Sequence, residues 1–137
     1  KTIFAGSVLS MAESVPESRR FVIQRHSAAD GLHWDWMLEG EGGLWTWRVA
    51  LPPGEIGVEP VEAERIHEHP LRFLTYEGPV QKNTGSVKIE DSGGLSLMEI
   101  SDVRVIFGLE GRVLSGQFEF HQQPQGGWIL HRLVPRW

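Results

Sequence analysis

An all-β fold, a compact closed or nearly closed β-barrel with few or no long helices, is the architecture this chain predicts, and three observations carry it. Apolar residues recur with a period of two, not 3.6, in one segment after another. Gly, Pro, Asp and Ser clusters separate those segments, and no stretch carries a sustained helical pattern. Six tryptophans are many for 137 residues, and five of them (Trp34, Trp36, Trp45, Trp47, Trp128) fall on the alternating segments. They read as core and rim packing, not as a base-stacking platform. Closing such strands into a barrel also removes open sheet edges.

Residues 1–20 are expected to be a partly disordered tail, and 21–137 one domain. The tail has a brief apolar start and then Glu13, Ser14, Pro16, Glu17 and Ser18, too short an apolar region for a signal peptide. Met11 is a candidate natural start. The first strand runs from Phe21 to His26, Ala-Asp-Gly turns, and a second covers Leu32 to Leu38. On it Leu32, Trp34, Trp36 and Leu38 share one face while His33, Asp35, Met37 and Glu39 share the other. Glu39 to Gly43 is a turn. Leu44 to Leu51 alternates again, with Trp45, Trp47, Val49 and Leu51 opposed to Thr46 and Arg48, and Pro52-Pro53-Gly54 stops it. Gly57 to Glu64 is an acidic connection with room for one helical turn. Arg65 to His69 is a short strand cut by Pro70, Phe73 to Glu77 is extended, and Gly78-Pro79 turns. Gly85 to Glu90 is followed by a break at Gly93-Gly94. Leu95 to Ile100, Val103 to Leu109, Val113 to Phe120 and Trp128 to Val134 complete a set of about nine strands.

Composition narrows the function. Thirteen Lys and Arg against eighteen Asp and Glu give a net charge of -5, without the basic footprint that dominates non-specific nucleic-acid affinity. Nucleic-acid contact is therefore expected only locally, at a site. The absence of cysteine excludes thiolate metal sites and disulfides. No apolar stretch approaches the roughly 20 residues that span a bilayer, so a cytoplasmic monomer without a membrane partner is the expectation.

Chemistry concentrates around one turn, where His26, His33 and Asp35 offer two imidazoles and a carboxylate. Residues two apart on a strand point the same way, so His33 and Asp35 can converge on one cation, with His26 across the turn leaving coordination positions open. Spacing alone equally permits a solvated polar face, and it leaves manganese, zinc and iron open. It also permits a two-histidine-one-carboxylate iron oxygenase built from His33, Asp35 and His121, with Arg132 gripping a carboxylate. That arrangement leaves His26 unexplained.

The linked motifs resemble a known family, the 3′-phosphoesterase domain of bacterial DNA ligase D. Gln24-Arg25-His26 and Leu32-His33-Trp34-Asp35-Trp36 match its opening pair, and His67-Glu68-His69-Pro70-Leu71 followed by Tyr76-Glu77-Gly78 matches its middle. Gly111 to Phe120 and Gly127 to Arg132 match its close in outline. The resemblance implies a manganese-dependent enzyme that trims nucleic-acid 3′ ends in DNA repair, with a separate DNA ligase or repair protein as partner. It implies His26, His33 and Asp35 as metal ligands and His69 on the phosphate.

The departures are specific. The loop between His26 and His33 is one residue longer than the family's, Met37 stands where the family has an arginine, Phe73 where it has a tyrosine, and Leu51 where it has a lysine. Positive groups aimed at phosphoryl oxygens supply much of the barrier lowering, so altered or reduced activity is expected, down to a phosphate-binding or DNA-end-binding module without turnover. Arg25, Arg48 and Arg72 are the candidate replacements for the missing cation. Met37→Arg would be expected to restore it on the His33 and Asp35 face.

Overall fold

In the computed structural model the described residues are 18–81 and 84–134. Most of the expected tail lies outside them, and its last two residues, Arg19 and Arg20, begin a strand. Nine strands follow: β1 (Arg19–Ala28), β2 (Gly31–Glu39), β3 (Leu44–Val49), β4 (Val61–His69), β5 (Gly78–Pro79), β6 (Ser86–Ile100), β7 (Arg104–Gly111), β8 (Ser115–Gln122) and β9 (Trp128–Arg132). Their helical companions among the described residues are two 3-10 turns, Pro53–Glu55 and Leu71–Leu74. None is long and apolar enough to cross a membrane.

Every pairing is antiparallel, in the order β1-β2-β3-β4-β9-β8-β7-β6, and β6 returns to pair with β1. Eight strands thus close a ring of hydrogen bonds, with the two-residue β5 paired to β6. The ring interior is aromatic. Trp36 of β2 meets Phe107 of β7 and both Phe118 and Phe120 of β8 edge-on, while Trp47 of β3 stacks on Phe120 with centroids 4.2 Å apart. Contacts from one wall to the other identify this face as the inside. Phe21, Ile23, Trp34, Leu38 and Val49 belong to the same cluster, as the period of two requires.

Three elements differ from the sequence expectation. Gly93-Gly94 does not break the chain; β6 runs through it, and Gly93 pairs with Phe21 on one side and Gly111 on the other. A Cβ at Gly93 would overlap the Glu110 carbonyl, so glycine serves close strand approach here and not a turn. The connection after Pro60 is shorter than expected because β4 starts at Val61, where pairing with Leu130 of β9 satisfies its backbone. Phe73 to Glu77 is not a strand, since Leu71–Leu74 coils into a 3-10 turn and extension resumes at Gly78.

Asp91 fixes the far end of the ring. It is buried, and its carboxylate accepts backbone N–H bonds from Ser92, Arg112, Val113 and Leu114 at 2.8 to 3.1 Å. Three of those four donors belong to the β7–β8 turn, which the one carboxylate ties to β6, and the Leu114 N–H among them is buried and satisfied by it. Asp91→Ala is expected to lower unfolding free energy by about 3–5 kcal/mol in a denaturant titration. A loss below about 1 kcal/mol would show that the turn holds without it.

Candidate functional site

The outer face of β1, β2 and β3 carries what the interior rejects. Val22, Gln24 and His26 on β1, His33, Asp35 and Met37 on β2, and Thr46 and Arg48 on β3 alternate with the core residues of the same strands. Cross-strand pairs His26↔His33, Gln24↔Asp35, Asp35↔Arg48 and Met37↔Thr46 set them side by side. The segment after Pro70 crosses this face: Leu74 packs with Val22, Met37 and Leu44. Buried Gln24 donates from Nε2 to the carbonyls of Phe73 and Tyr76 at 3.0 and 3.1 Å. Between segment and sheet lies a pocket of about 640 Å³, whose lining includes His26, Asp35, Arg48, His69, Arg72, Tyr76 and Thr84.

His26 and Asp35 on this pocket wall converge with the neighbouring His33, each of the three offering a ligand atom within 4.8 Å of the others. His33 Nε2 lies 2.9 Å from His26 Nδ1, and Asp35 oxygens lie 4.0 Å from His26 Nδ1 and 3.9 Å from His33 Nε2. Donors about 2.0–2.2 Å from a common metal are themselves about 3–3.5 Å apart, so the three fit a divalent cation with small side-chain adjustments. A second contact supports the fit. His26 Nε2–H donates to the Thr84 carbonyl at 3.0 Å, which leaves Nδ1 with its lone pair toward His33. Burial, opposed by the charge of Asp35, holds His33 below its ordinary pKa, which keeps it neutral and available as a ligand at neutral pH.

His69 reaches the same face through a bulge. Leu44 pairs with His69 but Thr46 pairs with Ile66, so β4 contains one residue more than β3 over this interval. Strict alternation from Ile66 would send His69 to the other face. Instead it lines the pocket, its Nδ1–H shared between Thr46 Oγ1 at 3.0 Å and the His67 carbonyl at 3.1 Å, while Thr46 donates to the Leu44 carbonyl. That leaves Nε2 free to serve a ligand. Burial and the neighbouring His67 push its pKa below the usual imidazole value.

Arg48 Nε and Nη2 donate to the two oxygens of Asp35 at 3.0 and 3.3 Å. Burial opposes its charge, but the bonds and charge of Asp35 prevail and raise its pKa.

The family model for the DNA ligase D 3′-phosphoesterase domain matches residues 24–122. The chain belongs to that family. It is 32% identical over 126 residues, 85% of its length, to the multifunctional non-homologous end joining DNA repair protein LigD of Mycobacterium tuberculosis. It is 29% identical over 123 residues, 81% of its length, to the corresponding protein of Pseudomonas aeruginosa. These relatives are much longer, and the matches cover 16% and 14% of them.

Within this phosphoesterase-family domain, the structure brings together His26, His33, Asp35, Arg48 and His69. Arg25 does not join them. It pairs with Trp34, on the core-side face of β1, and its side chain is exposed away from the pocket. Arg72 does line the pocket, its guanidinium 4.6 Å over Phe73. The oxygenase arrangement fails on geometry, since His121 sits on β8, across from Arg104 and Ile129, and is not part of the ligand group. His131 is engaged elsewhere, with its Nε2 2.7 Å from Glu119. Gln24, Thr46, Thr84 and Tyr76 had no sequence-based role. Gln24 and Thr46 could have been found as polar residues alternating with core residues on the ligand face. The Thr84 contribution is a backbone carbonyl, which leaves no trace in side-chain identity.

Met37 lies on the ligand face as expected but is 1% exposed beneath Leu74. An arginine there would bring a charge into a buried apolar contact, which argues against the restoration expected from sequence. Met37→Arg is expected to cost about 3–5 kcal/mol of stability in chemical unfolding. A variant of normal stability would show that the side chain escapes into the pocket.

Proposed function

We propose that this domain is a metal-dependent phosphoesterase acting on nucleic-acid 3′ ends, and the convergence of two histidines and one buried carboxylate beside His69 is the observation that carries the reading. His26, His33 and Asp35 would hold the cation, for which manganese is our choice. Zinc or iron would suit the same donors. When bound, a divalent cation there supplies charge stabilisation to a phosphoryl group and lowers the pKa of water. The remaining work falls to the chain itself. His69, held by Thr46 and the His67 carbonyl, presents Nε2 to a phosphate oxygen or to the leaving group. Arg72 and Arg48 line the same pocket and supply cationic groups for a phosphate.

The net charge of -5 fits a substrate recognised at its end and not along its length. Membership of the family supports DNA end processing as the setting, with a ligase or repair protein as the partner that receives the trimmed end.

The test is release of inorganic phosphate from a 3′-phosphorylated oligonucleotide in manganese. His33→Ala is expected to remain folded, because its side chain faces away from the aromatic interior, and to lose both stoichiometric metal and hydrolysis. His69→Ala should keep metal but slow hydrolysis by about 10²- to 10⁴-fold. A wild-type protein that binds metal and 3′-phosphate without releasing phosphate would instead make this a binding module.

A further inference from the structure

Arg48 occupies an unusual place for a substrate-binding cation. Its partner is Asp35 itself, the one carboxylate of the ligand group, and it engages both oxygens. Asp35 is 2% exposed and fixed on β2 with its cross-strand neighbour Arg48 on β3. The guanidinium is freer, with its side chain about a third exposed and on the wall of the pocket shared with His69, Arg72 and Thr84. Of the two partners, only the arginine has somewhere to go.

Resting on the metal-site reading, we infer that Arg48 gates metal loading, competing with a divalent cation for Asp35 and turning to the 3′-phosphate when that anion enters, so that metal and phosphate bind cooperatively. The charges require such coupling. Carboxylate and guanidinium neutralise each other, so a divalent cation added to the pair leaves its whole charge uncompensated in a pocket that is partly shielded from water. A terminal phosphate of about −1.5 to −2 cancels that excess. Without the anion, Arg48 therefore opposes the metal; with it, both cations face a common counter-charge. Because coupling between two sites is reciprocal, the metal must strengthen phosphate binding by the same factor that phosphate strengthens metal binding.

The experiment is Mn²⁺ titration of the whole chain, followed by electron paramagnetic resonance of free Mn²⁺, with and without thymidine 3′-monophosphate. Wild type is expected to bind Mn²⁺ more tightly with the nucleotide, within the usual coupling range of about 5- to 150-fold. Arg48→Gln, checked for folding by circular dichroism, should bind Mn²⁺ more tightly than wild type without nucleotide and lose most of the nucleotide response. Arg48→Gln that binds Mn²⁺ no more tightly than wild type, or keeps the full response, overturns the gate. Should that variant fail to fold, Arg48→Lys serves in its place: lysine keeps the charge but cannot span both oxygens, so tighter Mn²⁺ binding than wild type is again expected and equal or weaker binding overturns the gate. Wild-type affinity unaffected by nucleotide overturns it without any variant. Failure of the metal reading looks different: no saturable Mn²⁺ binding in wild type, with or without nucleotide.

Discussion

Closure of the sheet into a ring divides every strand residue between two environments, and the site depends on that division. The interior is filled by Trp36, Trp47, Phe107, Phe118 and Phe120, all fully buried. Each of these aromatics consumes one side of its strand, and a polar group displaced onto that side would lose water without gaining a partner. On β1, β2 and β3 the chemistry must therefore stand on the outer face. There it would lie open to solvent were it not crossed by the segment after Pro70, whose Leu74 closes a small second core over Val22, Met37 and Leu44. Gln24 is the polar rivet of that crossing, since its amide is buried and donates to two carbonyls of the segment. A pocket on the outside of a ring follows from these two layers.

Much of this is legible in the sequence because the code involved is a period of two. His33 and Asp35 on one face, with Trp34 and Trp36 on the other, can be read without any tertiary information, and so can the opposition of Thr46 and Arg48 to Trp47 and Val49. The ordered motifs add the family. What fails is whatever depends on a neighbour. Gly93-Gly94 looks like a break because glycines punctuate chains, yet Gly93 serves strand contact with Phe21 and Gly111, and Gly94 continues the same ladders. Arg25 looks like a site residue because it adjoins His26, yet adjacency on a strand means opposite faces.

His69 is the instructive failure in the other direction. Counting by twos from Ile66 gives the wrong side, and the residue reaches the pocket only because β4 inserts one extra residue opposite β3. A bulge is invisible to periodicity until the partner strand and register are known. His67 lies against His69, with ring centroids 4.6 Å apart, so two imidazoles line a pocket where strict alternation from Ile66 would place neither. The polar loops fail for a related reason, since the Thr84 carbonyl that fixes the His26 tautomer acts through the backbone.

How a cation reaches Asp35 is a matter of distance along and across strands. Residues two apart on one strand are separated by about 6.5–7 Å, whereas directly opposed residues on antiparallel neighbours have Cβ atoms about 4.5–5.5 Å apart. A guanidinium at position 37 would approach the site along β2 and would now have to displace the Leu74 contact. Arg48 approaches across the ladder and meets the carboxylate squarely enough to bond both oxygens. An arginine at position 37 and one at position 48 are thus not equivalent. Met37 makes the outer face a dry contact for the crossing segment; Arg48 brings a positive charge onto the carboxylate that a metal would need. Arg48 is tied to the carboxylate that would serve as a ligand in the proposed metal site, and on that proposal an anion that drew Arg48 away would free Asp35 at the same moment.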